Sequence, residues 1–264
     1  MLITLLTDFG TADYFVGAMK GVILSINPGA CIVDITHEIP PQNIRAGAFT
    51  LSASYQTFPS ETIHVGVVDP GVGSERRPIL VSGCNQFFVG PDNGLFSFIY
   101  ERDEKAHVFH LTNEEYFRQP VSATFHGRDV FAPVAAALSK GVRPEQLGVE
   151  IKDYVRLAHL KPERNDAQTI QASIIHIDRF GNCITNLTRE EIRDEMIARG
   201  LRVNVNGREI TSFRRYFAEV AEARDELFLI MGSAGYLEIA AFRASAARIL
   251  DAQAGQLITV TSDE

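Results

Sequence analysis

The chain predicts an α/β fold: an N-terminal open, mostly parallel sheet with helices on both faces, followed by a smaller C-terminal β-barrel domain. Three observations predict it. Over residues 1–160, β-branched apolar runs alternate with helix-length segments, the pattern of a sheet wound with helices. The polar, proline-containing stretch Lys161-Pro162-Glu163-Arg164-Asn165-Asp166 then separates two apolar regimes and reads as a linker over 161–168. Beyond it, over 169–264, short strand-like runs are joined by turns such as Asn206-Gly207, a strong hairpin signal.

The elements follow in order. Leu2-Ile3-Thr4-Leu5-Leu6 is a first strand that closes in Thr7-Asp8-Phe9-Gly10. A helix is expected from Asp13, as N-cap, to Asn27-Pro28-Gly29, which stops it. Cys31–Ile35 is the second strand, 43–57 a helix whose Ala46, Gly47, Ala48, Ser52 and Ala53 allow close packing, and 62–68 the third strand. Strands near 79–82 and 86–89, a helix from Asn93, a strand near 106–111 and a helix over 128–140 complete the first domain. In the second, 169–177, 201–205, 226–231, 236–241 and 256–261 are expected as strands, and 188–199 and 214–223 as helices.

Composition narrows the function classes. Apolar residues at 45% and charged residues at 22% describe an ordinary globular protein. A net charge of −8 argues against a generic nucleic-acid binder, which carries a basic face. Of the two adjacent arginine pairs, Arg76-Arg77 and Arg214-Arg215, the second is expected to be solvated surface charge. Cys31, Cys84 and Cys183 have neither zinc-ligand nor disulfide-framework spacing, so buried free thiols in a reducing compartment are expected. The chain begins directly on a strand, with no signal-peptide pattern. No apolar run approaches the ~18 residues that span a bilayer. A soluble cytoplasmic protein without membrane or nucleic-acid partners is the expectation.

Two runs concentrate chemistry. Asp69-Pro70-Gly71-Val72-Gly73-Ser74-Glu75-Arg76-Arg77 follows the third strand, and Thr124-Phe125-His126-Gly127-Arg128-Asp129 precedes a helix. The first places Asp69 at the strand's C-terminal end, where open α/β sheets bind ligands. Its glycines and proline make a turn that lets Arg76 fold back toward the carboxylate. His126 lies at a strand-to-helix junction and is poised to point outward. Asp129 is sufficiently explained by the positive end of its helix. Asp8 and Asp13 share the sheet edge with Asp69. Two carboxylates there suit vicinal hydroxyls, or else Asp8 braces a turn and Asp13 caps the helix. His37 either lines the pocket or stabilises its loop, and Pro91-Asp92-Asn93-Gly94 reads as a cap and turn.

In the second domain, Asp178-Arg179-Phe180-Gly181-Asn182 offers an amide for a planar heterocycle and an aromatic stacking face. The turn Gly232-Ser233-Ala234-Gly235, running on to Glu238, lets backbone approach a base edge. P-loop, dinucleotide, HExxH and GxSxG signatures are missing.

Taken together, Thr7-Asp8-Phe9-Gly10, Val68-Asp69-Pro70-Gly71-Val72-Gly73, Pro91-Asp92-Asn93-Gly94, Phe125-His126-Gly127-Arg128-Asp129 and Phe180-Gly181-Asn182 resemble the S-adenosyl-L-methionine hydroxide adenosyltransferase family, relatives of the fluorinating and chlorinating enzymes. The resemblance spans nearly the whole chain in order. It implies a homotrimer whose ligand lies between the N-terminal domain of one subunit and the C-terminal domain of its neighbour. It also implies a catalytic set of Asp69, Arg76 and His126, with Arg76 preferred to Arg77 because it stands seven residues after the aspartate. Asp8 and Asp13 correspond to ribose and amino-acid contacts, and Asn182 and Ser233 to contacts from the C-terminal domain. Phe125, Asp178, Phe180 and Glu238 complete the expected substrate-binding residues. Ala234 stands where the halogenating relatives carry arginine, which leaves open how the methionine carboxylate is held. The implied reaction is in-line attack of an activated water on C5′ of S-adenosylmethionine, giving adenosine and L-methionine without metal or cofactor. The alternatives are halide-dependent adenosyl transfer, a non-catalytic S-adenosylmethionine or adenosine sensor, and a metalloenzyme using Asp8, Asp69, Asp92 and His126 as ligands.

Overall fold

The computed structural model describes residues 1–157, 162–166, 169–219 and 226–262, which fall into two units, Met1–Leu157 and Ala158–Glu264. In the first unit the order is β1 (Leu2–Thr7), α1 (Phe15–Ile26), β2 (Cys31–Thr36), α2 (Ile44–Ser54), β3 (Ile63–Val67), β4 (Pro78–Gly83), β5 (Gln86–Pro91), α3 (Ser97–Arg102), β6 (His107–Leu111), α4 (Ala132–Ser139), α5 (Pro144–Leu147) and β7 (Gly148–Ile151). The sheet runs β2-β1-β3-β5-β4-β6-β7. Its first four strands are parallel neighbours, and the pairings from β4 onward are antiparallel.

Strand alternation divides the core between the two faces of the sheet. Ile3, Leu5, Ile63, Val65 and Val67 pack with Met19 and Ile23 of α1 and Val134 and Leu138 of α4. Leu6, Val81 and Phe88 pack on the other side with Leu51 of α2 and Ile99 of α3. Helices on both faces are therefore the outcome of period-2 strands meeting amphipathic helices.

Several element ends differ from expectation, each for a local reason. The first bond of α1 runs from Ala18 N–H to the Tyr14 carbonyl at 2.9 Å, so Tyr14 is the N-cap and exposed Asp13 caps nothing. No helix starts at Asn93, because Gly94 sits at φ +92°, and α3 begins three residues later. The segment expected as a helix over 128–140 opens as a π-helical turn, Gly127–Phe131, before α4. Of the cysteines only Cys183 is buried; Cys84 is half-buried, and Cys31 is exposed because it starts β2, an edge strand.

The second unit contains β8 (Glu163–Arg164), β9 (Thr169–Ile177), β10 (Cys183–Thr188), α6 (Asp194–Ala198), β11 (Arg202–Val205), β12 (Arg208–Ile210), β13 (Phe213–Arg214), β14 (Leu227–Met231), β15 (Tyr236–Ala241), α7 (Ala246–Leu250) and β16 (Leu257–Thr261). The strands form one curled sheet, β12-β11-β16-β9-β10-β15-β14-β13, with β8 added on β9. It makes a half-barrel around Ile170, Ile174, Val203, Leu237, Ile239 and Val260. Asn206 and Gly207 both have positive φ, +50° and +77°, and turn β11 back into β12 as a two-residue hairpin.

Glu163 and Arg164, expected within a linker, pair with β9. The helix expected over 188–199 shrinks to α6, because Thr188 still belongs to β10 and is held there by Glu191. The helix expected over 214–223 is replaced at its start by β13, and 220–225 lie outside the described residues. Arg214 is accordingly buried rather than solvated, paired with Glu226 at 2.7 Å and lying over the Phe228 ring at 4.2 Å. Among the described residues no helix is long and apolar enough to cross a membrane.

A buried imidazole ties β1, β3 and β5 together. Gln86 uses its amide nitrogen on the carbonyls of Tyr55, Phe58 and Pro59, so its oxygen accepts from His64 Nε2 at 3.1 Å. The other ring nitrogen of His64 accepts from the Thr4 hydroxyl at 2.7 Å. Burial pushes the His64 pKa down to about 4. Between pH 6.5 and 4 the unfolded chain therefore binds a proton that the folded chain refuses, and stability falls as pH falls. At roughly 1.4 kcal/mol per pH unit this removes about 3 kcal/mol across the window. His64→Gln, which cannot charge, is expected to lose that much less than the native protein in denaturant unfolding at pH 6.5 and 4; equal losses contradict the assignment.

Candidate active site

Two residues beyond β3, Asp69 begins a turn at the C-terminal end of the parallel strands. Thr7 of β1 is in register with Val67, so Asp8 leaves the sheet at the same edge. Within the turn, Val72 N–H bonds the Asp69 carbonyl, and the Ser74 hydroxyl donates to the Gly71 carbonyl and accepts from Arg76 N–H. The chain reverses, and the Arg76 guanidinium grips Asp69 with two parallel bonds, Nε to Oδ1 at 2.9 Å and Nη2 to Oδ2. Such forked, charge-assisted pairs fix geometry as well as energy. Both side chains are nearly enclosed, at 9% and 4% exposure. The guanidinium also lies over the Phe131 ring at 5.3 Å.

The second loop arrives from the π-helical turn. His126 is its N-cap, and Arg76 Nη2 reaches His126 Nδ1 at 2.9 Å. Arginine has no lone pair to offer, so Nδ1 is the acceptor and the imidazole carries its proton on Nε2. Burial and then the Arg76 charge hold the His126 pKa below its ordinary value, against the opposing pull of Asp69 and Asp129. A neutral ring thus presents an N–H donor beside a carboxylate whose oxygens each keep a further lone pair. A small molecule that accepts one hydrogen bond and donates another suits that pair of neighbours.

The loops are in direct contact. Gly73 has φ +77°, and a Cβ built there would stand 2.1 Å from the Ala123 carbonyl oxygen. Phe125 is buried in a ring cluster with Phe9, Phe15 and Tyr14, and Arg128 lies over it at 5.1 Å. It anchors the second loop. Asp8 accepts from Gln42 N–H at 2.7 Å, bracing a turn in which Gln42 adopts φ +64°. His37 is buried, bonded to the Thr7 hydroxyl at 2.9 Å and paired with Asp34 at 3.1 Å. It stabilises its loop. Asp92, offered as a metal ligand, pairs instead with Arg77 and accepts from Val155 N–H.

In the second unit, Asp178 builds the turn it begins. Oδ1 accepts from the Phe180 and Asn182 N–H groups and Oδ2 from the Asn182 amide, which leaves Asn182 buried and Phe180 79% exposed. This turn lines a cavity of about 810 Å³ together with Phe217, Arg243, Ser245 and Arg248. Sequence reasoning missed Phe217, Arg243 and Arg248. Phe217 follows β13, whereas Arg243 follows β15 and Arg248 lies on α7, and the one local signal, positive φ at Arg243, is not written in its side chain. Ser233 is exposed in its turn and lies outside the cavity lining. Glu238, on β15, lays its carboxylate against Gly232, where a Cβ would come within 1.7 Å of Oε1. Burial and the neighbouring Asp178 charge raise the Glu238 pKa.

The family model described as the SAM hydroxide adenosyltransferase N-terminal domain matches residues 3–148, and that of the C-terminal domain matches 172–259. The chain is similar to a protein named (R)-S-adenosyl-L-methionine hydrolase from Methanocaldococcus jannaschii, 38% identical over 95% of this chain and 92% of that one. A Thermus thermophilus protein of the same name is 38% identical over 95% of both chains. A protein named fluorinase from Actinoplanes is 27% identical over 98% of this chain and 97% of its own length. A crystal structure of an uncharacterized conserved protein from Thermotoga maritima superposes with a TM-score of 0.89 at 35% identity, covering 99% of this chain and 100% of that one.

The contact between the loops predicts a sensitive position. Gly73→Ala meets both the strained φ and the Ala123 carbonyl. It is expected to cost more than about 1 kcal/mol in unfolding free energy and to separate Arg76 from His126. Unchanged stability and an unchanged Arg76–His126 bond in the variant's crystal structure contradict this.

Proposed function

The chain belongs to the SAM hydroxide adenosyltransferase family, and we propose that it hydrolyses S-adenosyl-L-methionine to adenosine and L-methionine by attack of water on C5′. The sulfonium is already a good leaving group, so the departing side needs no acid. The protein must supply a water held in line, with its proton accepted as the C–O bond forms. Holding both partners at attack distance contributes about 7–11 kcal/mol.

One observation carries this reading: a single guanidinium bonds both Asp69 and His126. In the mechanism we propose, the water accepts from His126 Nε2–H and gives its proton to Asp69. Arg76 keeps the carboxylate aimed and stabilises the developing hydroxide. The reaction needs no metal or cofactor, because the sulfonium supplies the electrophile and these three side chains the base and the positioning.

Asp8 and Asp13 are assigned to the ribose and the amino-acid portion. Phe180, Asn182 and Asp178, with Ser233 and Glu238, are assigned to contacts from the C-terminal unit of a neighbouring subunit in a homotrimer. Arg243 and Arg248, beside the Phe180 turn, offer guanidinium groups that Ala234 does not. Three free cysteines suit a reducing cytoplasm. The substrate epimer is drawn from the relatives' names, which specify the (R) form.

Incubating the purified protein with each sulfonium epimer and separating the products by chromatography tests this reading. Adenosine and methionine in equal amounts are expected. Unchanged ligand indicates a sensor, and a 5′-halogenated nucleoside formed only with added halide indicates adenosyl transfer to halide. Asp69→Asn is expected to retain ligand binding and lose at least ~10²-fold in turnover, the scale of general acid–base groups. Native turnover in that variant removes Asp69 from the mechanism.

A further inference from the structure

Asp129 has a charge environment that its place near a helix start does not account for. Its side chain is completely buried. Oδ1 accepts from Arg128 Nε at 2.7 Å and from Arg118 Nη1 at 3.3 Å. Oδ2 accepts from Arg128 Nη2 at 2.8 Å and from Ser122 N–H at 2.9 Å. Its backbone carbonyl accepts from Arg118 N–H at 2.8 Å. The two arginines and the Ser122 amide hold its pKa below the ordinary carboxylate range, despite burial. One ionised group therefore fastens both ends of the segment 118–122 to the π-helical turn that follows His126.

That segment continues to Ala123, whose carbonyl oxygen rests against Gly73 in the turn carrying Asp69 and Arg76. The chain thus closes a loop of contacts: Arg76 to His126, His126 to Asp129 along the π turn, Asp129 to Ser122, Ala123 to Gly73, and Gly73 back to Arg76. The turn is held by Asp129 N–H on the Phe125 carbonyl at 3.1 Å and by Ala132 N–H on the Gly127 carbonyl, bonds that order the backbone at His126 but do not reach its side chain or the strap in front of it. The clamp beneath it does.

We propose that Asp129 is a positioning residue for the hydrolysis, locking the 118–123 strap onto the Gly73 turn so that His126 Nδ1 stays within hydrogen-bond distance of Arg76. The proposal rests on the reaction assigned above, and it deepens that reading by naming what holds the donor in place. The charged groups facing His126 are Arg76 and Asp69 from the first loop and Asp129 from its own turn. Of these, Arg76 alone bonds the ring. A displacement of about 1 Å is enough to cost ~10²-fold in rate.

The test is ¹⁵N NMR of the imidazole in native protein and in Asp129→Asn, combined with kcat and KM for S-adenosylmethionine. The native ring is expected as a single Nε2–H tautomer, and the folded variant as a mixture of both tautomers. Turnover is expected to fall ~10²-fold with KM within about threefold of native. A loss of overall stability alone would not move the tautomer ratio of the folded molecules. Retention of the single tautomer in the folded variant overturns the proposal, whatever the turnover. If Asp129→Asn does not fold, Arg118→Met, which cuts one strut and leaves the Arg128 pair, is read the same way. A partial tautomer mixture is then expected, and native spectra overturn the proposal. Should the native protein fail to hydrolyse S-adenosylmethionine, the assigned reaction falls, while the tautomer comparison still decides the role of Asp129.

Discussion

The site depends on one guanidinium serving two acceptors. Arg76 neutralises a nearly enclosed carboxylate and, with the same Nη2, sets the tautomer of His126. Neither function survives alone. Without Arg76, Asp69 becomes an unpaired charge in a closed setting, a loss of several kcal/mol, and the imidazole is free to carry its proton on either nitrogen. The tight turn after β3, the left-handed backbone of Gly73 and the buried Asp129 carboxylate all serve to keep that guanidinium where both acceptors can reach it.

In the proposed mechanism, water rather than halide is favoured by the same charges. An anion approaching Asp69 meets a carboxylate whose single counter-charge is already shared with an imidazole. A neutral water meets no such barrier and can accept from Nε2–H while donating to the carboxylate. The relatives named fluorinase align over 98% of this chain. The fold is therefore common ground, and the proposed mechanism assigns the choice of nucleophile to a few side chains at the sheet edge.

Much of this was legible in the sequence. β-branched runs bounded by glycine and proline located the strands, and the parallel start of the sheet placed Asp69 and Asp8 at one edge. The turn that folds Arg76 back toward Asp69 was readable because glycines and proline leave it no helical option, while the choice of Arg76 over Arg77 came from the family resemblance. What the sequence hid were partnerships formed across distance. Arg214 looked like surface charge because its partners, Glu226 and Phe228, lie on a later part of the chain. Asp129 looked like a helix-end carboxylate because nothing local marks Arg118 and Ser122 as its partners. Phe217, beyond β13, meets Arg243 and Arg248, beyond β15, around a cavity only once the sheet has formed.

Isotope tracing tests the central claim most directly. Turnover carried out in H₂¹⁸O places the label according to which atom the water attacks. Attack at C5′ predicts one ¹⁸O in the 5′-hydroxyl of adenosine and none in methionine. Adenosine without label, or label carried into the amino-acid product, contradicts a water activated between Asp69 and His126.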